Sequence, residues 1–86
     1  MATALERVTK VTADVLNLDT DEVKPGHAFT TDLGADSVQS VELVAMYEEE
    51  FGIEMDEGEA LSVQTVAEAT RYIEGVCRDQ DIEVEE

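Results

Sequence analysis

Cysteine is nearly absent from this 86-residue chain. Cys77 stands alone, so no intramolecular disulfide can form, and no Cys/His cluster has metal-ligand spacing. That usage fits a reducing, cytoplasmic compartment. Basic residues are also scarce: five Lys and Arg face 22 Asp and Glu, a formal net charge of -17. Such a field repels nucleic acid and anionic membrane surfaces and speeds encounter with partners that carry basic patches. Divalent cations are expected to screen the self-repulsion without a dedicated metal site. Long apolar runs are missing, since no window approaches the roughly 20 apolar residues of a membrane span. The opening stretch MATALERVTKVTADVL has no signal-peptide core and contains Glu6 and Asp14, unlike an Arg-rich transit peptide. A soluble, unexported monomer is expected.

What the chain does contain is helical periodicity. Hydrophobic residues make up 43% of it, enough for one modest core. Leu5, Val8, Val11, Val15 and Leu16 recur on one face and predict a helix over 4–16. A loop of about twenty residues follows, anchored by Leu18, Val23, Phe29 and Leu33, and a loop that long must either pack on the core or serve function. A second helix is predicted from about 36 or 37 to 51, with Asp36 and Gln39 as a capping box and Gly52 at its C-terminal cap. A short helical turn over 56–61 and a final helix over 63–76 complete an all-α, small four-helix bundle of three long helices and one short. No strand alternation or internal repeat appears. Residues 1–78 read as the folded domain and 79–86 as an acidic, frayed tail.

The second helix has two apolar faces. At about 100° per residue, Leu43, Met46, Tyr47, Phe51 and, near the edge, Val44 form a broad core side. Val38, Val41 and Ala45 fall nearly opposite, among Glu42 and Glu49 and bordered by Glu48. Burying that second stripe would bury carboxylates with no basic partner, which is costly. It reads instead as a docking face for basic, partly apolar partners.

Ser37 heads the same helix, and three roles are open to it. A nucleophile needs a base in reach, and the chain has one histidine, His27, while GADSV lacks the second glycine of a G-x-S-x-G elbow. A helix cap would explain "DS" by itself, since both residues cap well. An attachment point would exploit the unpaired amides and positive dipole end of a helix start, where a phosphodiester is favoured.

The run DLGADSVQSVELVAMYEEEFGIEM, residues 32–55, resembles the phosphopantetheine attachment region of the acyl carrier proteins. The resemblance extends over nearly the whole chain: Phe29 stands eight residues before the serine, and DEGEALSVQTVAEATRYI is similar to that family's final-helix region. It implies that Ser37 accepts a 4'-phosphopantetheinyl group from coenzyme A through a separate, Mg²⁺-dependent phosphopantetheinyl transferase. The arm's thiol would then carry acyl chains as thioesters. Val38, Val41, Glu42, Ala45, Glu48 and Glu49 match positions that face basic docking patches on the transferase and on acyl-processing enzymes, and Asp36 matches the residue before the modified serine, where it would help place the helix start and the approaching transferase. Leu43, Met46, Tyr47, Phe51, Phe29, Ile53, Val63, Val66 and Ile73 would form a core able to open around an acyl chain.

The resemblance therefore implies a non-catalytic acyl carrier protein of the fatty-acid type. Val38 in place of leucine, Tyr47 in place of an aliphatic residue, Gly58 and an extra residue before Val63 depart from the pattern and leave room for a specialised polyketide, aminoacyl or peptidyl carrier. An unmodified acidic helical adaptor is the rival from another class, and a serine hydrolase trails both. Cys77 reads as a near-surface bystander and His27 as a loop residue. DTDEVKPGHAFT is no calcium loop, because Val23 and Lys24 stand where that pattern needs Asp or Asn and glycine.

Overall fold

Thr3 starts the first helix, α1, which covers Ala4–Leu16 in the computed structural model; residues 2–84 are described. The Thr3 hydroxyl accepts from the Glu6 amide while the Glu6 carboxylate accepts from the Thr3 amide. This reciprocal box satisfies donors that a helix start otherwise leaves open. Val8, Val11, Thr12 and Ala13 are buried, as the spacing predicts.

Helix α2, Ser37–Phe51, begins and ends where expected: Asp36 caps it and Gly52 closes it at φ 67°. Its buried residues are Leu43, Val44, Tyr47 and Phe51. Met46, expected in the core, is instead 40% exposed. The buried four centre between the directions of Tyr47 and Phe51, which admits Val44 and leaves Met46 more than a quarter turn away.

Helix α3, Glu57–Ser62, is capped by Asp56 and buries only Ala60. Helix α4, Val66–Asp79, starts three residues later than the apolar spacing suggests. Val63 is phased like a helix residue, yet it closes α3, and Thr65 with Glu68 forms the box that opens α4. Its inward residues are Val66, Ala69, Thr70, Ile73 and Cys77. Cys77 is therefore no surface bystander: it lies one turn beyond Ile73 on the same stripe and is completely buried. Burial pushes its thiol pKa up.

These four α-helices pack with α1 against both α2 and α4, and α2 against α3, and no strand forms among the described residues. Arg7 ties α1 to the end of α2: its guanidinium donates to the Glu50 carboxylate (2.8 Å) and carbonyl (2.7 Å) and lies 4.2 Å from the centre of the Phe51 ring. A cation placed on the last carbonyls complements the helix dipole.

Helices α1, α2 and α4 end alike. A residue of positive φ (Asn17, Gly52, Asp81) turns the chain, and the next amide (Leu18, Ile53, Ile82) donates to the carbonyl five residues back. In this Schellman pattern the following apolar residue folds onto the core. Ile53 is buried, and Leu18 and Ile82 pack partly buried against the core. The frayed tail expected over 79–86 runs partly outside the described residues; within them α4 reaches Asp79, and Val84 also packs on the core.

The long first loop packs on the core and contains a one-turn 3₁₀ helix, Thr20–Glu22, too short to show in apolar spacing. Val23 and Phe29 are its buried anchors. Its Pro25 and His27 carbonyls accept from the Ala67 (2.8 Å) and Val66 (3.1 Å) amides, and the Phe29 amide donates to Gln64 (3.0 Å). The loop thereby fills the open donors of α4's first turn and holds residues 25–29 against its start.

Candidate functional site at the start of α2

Each residue from Asp32 to Asp36 has a structural task. The Asp32 carboxylate accepts from the Ala28 amide at 2.7 Å. Leu33 packs partly buried against the core. Gly34 turns the chain at φ 74°, a conformation that costs other L-residues about 1–2 kcal/mol. Ala35 is buried, and its amide donates to the Phe29 carbonyl at 2.8 Å. The Asp36 carboxylate accepts from the Gln39 amide at 2.7 Å, and the Gln39 side chain returns to the Asp36 amide at 3.2 Å.

Ser37 differs from all of them. It is exposed, and its hydroxyl makes no hydrogen bond among the described residues. Asp36 is the cap, so the serine is left with no part in holding the helix start. The Ser37 and Val38 amides likewise have no acceptor among the described residues, and α2 has no acidic residue within its first turn. Open amides at the positive end of a dipole suit an anionic group on the neighbouring oxygen. His27 does not form a catalytic pair with Ser37: no hydrogen bond joins them, and its Nδ1 accepts from the Lys24 amide at 3.2 Å.

Beyond the serine, Val38 is 65% exposed and Val41 45%, and Ala45, Glu42 and Glu49 are exposed as well. A bundle wrapped around both faces of α2 is thus excluded. Glu48 sits at the side of the stripe, half-buried, where its carboxylate accepts from the Met55 amide at 2.8 Å. Met46 and Leu61 are further exposed apolar residues, neither of them expected at the surface. The phase of Met46 relative to Val44 carried that signal for the first; for Leu61 the six-residue α3 offers too short a pattern.

On the inner side of α2, a cavity of about 350 Å³ lies between the 28–31 segment, α3, residues 63–64 and α4. Phe29, Leu43, Tyr47, Val63 and Ile73 of the expected core line it, together with Ser40 and Val44. Phe51, Ile53 and Val66 are buried without lining it. The Tyr47 hydroxyl, which needs a partner when buried, meets Thr12 of α1 at 2.5 Å. Burial raises the Tyr47 pKa well above its ordinary value, with the Thr12 bond opposing in part.

A bundle that frees one serine hydroxyl at a helix start and keeps an apolar cavity beside it has the layout of a carrier domain. A family model described as the phosphopantetheine attachment site matches residues 6–73. The acyl carrier protein of Sinorhizobium fredii (strain NBRC 101917 / NGR234) is 46% identical over 74 residues, which cover 86% of this chain and 95% of that protein. The acyl carrier protein AcpP of Rhizobium meliloti (strain 1021) matches with the same identity and coverage. The chain belongs to the acyl carrier protein family, whose prosthetic group is 4'-phosphopantetheine. Among the described residues, no helix is long and apolar enough to cross a membrane.

Proposed function

We propose that Ser37 is the residue to which 4'-phosphopantetheine is attached, and that the chain is a non-catalytic, cytoplasmic and monomeric carrier. In this reading it presents acyl intermediates to the enzymes of fatty-acid-type biosynthesis. The observation that carries the assignment is the division of labour along Asp32–Ser37: five residues build the loop and cap, and the serine alone is free. The bound arm supplies a thiol on which acyl groups ride as thioesters. Attachment forms a bond from the Ser37 oxygen to the pantetheine-bearing phosphorus as the pyrophosphate of coenzyme A breaks, adenosine 3',5'-bisphosphate departs, and the serine proton leaves to the transferase. This chain contributes an exposed hydroxyl and open amides beside the new phosphodiester, while the base and Mg²⁺ belong to the transferase.

Val38, Val41 and Ala45 form the contact stripe in this reading, and Glu42 and Glu49 steer basic partner patches toward it. Glu48 does two tasks, holding the Met55 amide and adding charge at the stripe's side. Glu42 is thus the cleaner residue for a charge test.

Incubating the protein with coenzyme A, Mg²⁺ and a broad-specificity phosphopantetheinyl transferase should add one phosphopantetheinyl mass, and Ser37→Ala should abolish it. Absence of the gain overturns the assignment and leaves an unmodified adaptor as the reading, and its survival in Ser37→Ala overturns it by moving the attachment to another residue. Glu42→Lys should slow loading most at low ionic strength, where charge steering is strongest.

A further inference from the structure

We propose that Tyr47, held in place by Thr12, is the end wall of the cavity and sets the longest acyl chain this carrier shelters. The inference rests on the carrier reading above and adds a chain-length determinant to it.

The path toward Tyr47 is laid out along α2. Ser40, Val44 and Tyr47 follow Ser37 at helical spacings of three, seven and ten, so they descend one stripe from the attachment end. All three line the cavity. At 1.5 Å per residue, Ser40 to Tyr47 spans about 10 Å along the helix axis. Among the α2 residues that line the cavity, a chain entering from the serine's end therefore meets the phenol last.

The phenol divides the cavity from α1. Tyr47 lines the cavity, no residue of α1 does, and the Tyr47 hydroxyl reaches Thr12 of α1. Thr12 is completely buried, and its own proton goes to the Val8 carbonyl at 2.7 Å. It can therefore only accept from Tyr47, which fixes the direction of the bond and the placement of the ring. Swinging the ring aside strands a buried phenol hydroxyl, and that loss exceeds what burying one further methylene returns. The wall yields only to a chain that extends well past it.

The test uses a series of saturated acyl groups of increasing length, loaded from acyl-coenzyme A by a transferase and verified by intact mass. For each, the melting temperature and the rate of thioester cleavage by hydroxylamine are measured. In the wild type, both the thermal gain and the protection should rise with length and then level off. Tyr47→Leu should move that plateau to longer chains by roughly two carbons or more, because leucine vacates much of the phenol's volume. Tyr47→Phe and Thr12→Val release the lock while keeping the ring or the isosteric shape, and should move the plateau by a smaller amount in the same direction. These two conservative variants keep the question answerable if Tyr47→Leu does not fold. Plateaus unchanged in every folded variant, or no protection at any length, overturn the end wall while leaving the carrier assignment intact. Failure of the loading step itself overturns the carrier assignment.

Discussion

The two ends of α2 are built on opposite plans. At the C-terminal end the helix is tied down: Gly52 turns the chain, Phe51 is buried beneath the Arg7 guanidinium, Arg7 holds the Glu50 carbonyl, and Glu48 holds the Met55 amide. At the N-terminal end the cap is complete, yet the first two amides and the Ser37 hydroxyl are left open and Val38 faces solvent. One end anchors the helix in the bundle, and the other leaves it open to solvent. Stability and carrier chemistry should therefore respond to different residues of one helix.

The sharpest way to expose this split is to damage the closed end. Phe51→Ala should cost about 3–5 kcal/mol, a large share of a small domain's stability, as read from urea unfolding. A loss below about 1 kcal/mol would erase the contrast. Arg7→Met should cost about 1–2 kcal/mol, since the pair is partly exposed and screened but the guanidinium also stacks on Phe51. Arg7→Lys should restore little of that, because an ammonium lacks the fork that reaches carboxylate and carbonyl together.

At the open end, Asp36→Ala should remove about 1 kcal/mol with the cap. Ser37→Ala should change stability by less than about 0.5 kcal/mol, although it is the change expected to end loading. Equal losses from both would mean that the serine holds the helix start after all.

The smallest effect is one of pH. Glu6 and Glu68 return to the amides of their own helix starts, and those backbone bonds hold both carboxyls below the usual range. Their folded pKa lies below the unfolded one, so the stabilisation is present above the unfolded value and is lost as pH falls through the folded value. Helix α2 has the neutral Gln39 at that position. Glu68→Gln should flatten the decline of the urea midpoint through the carboxylate range, and Gln39→Glu should steepen it. Parallel curves for wild type and Glu68→Gln would show that these boxes do not set the acid response.

Local signals made much of this readable. The bounds of α1 and α2 follow from apolar spacing, the Asp36–Gln39 box and Gly52. The exposed stripe follows from the cost of burying Glu42 and Glu49. Sequence and structure diverge where two signals compete: Val63 fits the phase of α4, but the Thr65–Glu68 box overrides it. Met46 and Cys77 depart from expectation because the centre of a helix's buried face depends on neighbours that spacing does not reveal. Asn17 and Asp81 turn helix ends without the glycine that marks Gly52. Pairings across the fold leave no local mark, as with Arg7 and Glu50, 43 residues apart. The Tyr47 hydroxyl could be foreseen to need a partner, but Thr12, 35 residues earlier, could not be foreseen as that partner.

The burial of Cys77 bears on how faithfully a thioester carrier keeps its cargo. Exchange between a thiol and a thioester needs a thiolate able to reach the carbonyl carbon, and a sulfur that captured the acyl group would strand it away from the enzymes that process it. Cys77 is completely enclosed, and its pKa is raised, so it offers neither access nor a ready thiolate. The chain's sole sulfhydryl is thereby silent toward its own freight, and a thiol-selective reagent applied to the folded carrier with its arm attached but not acylated should report on the prosthetic arm alone.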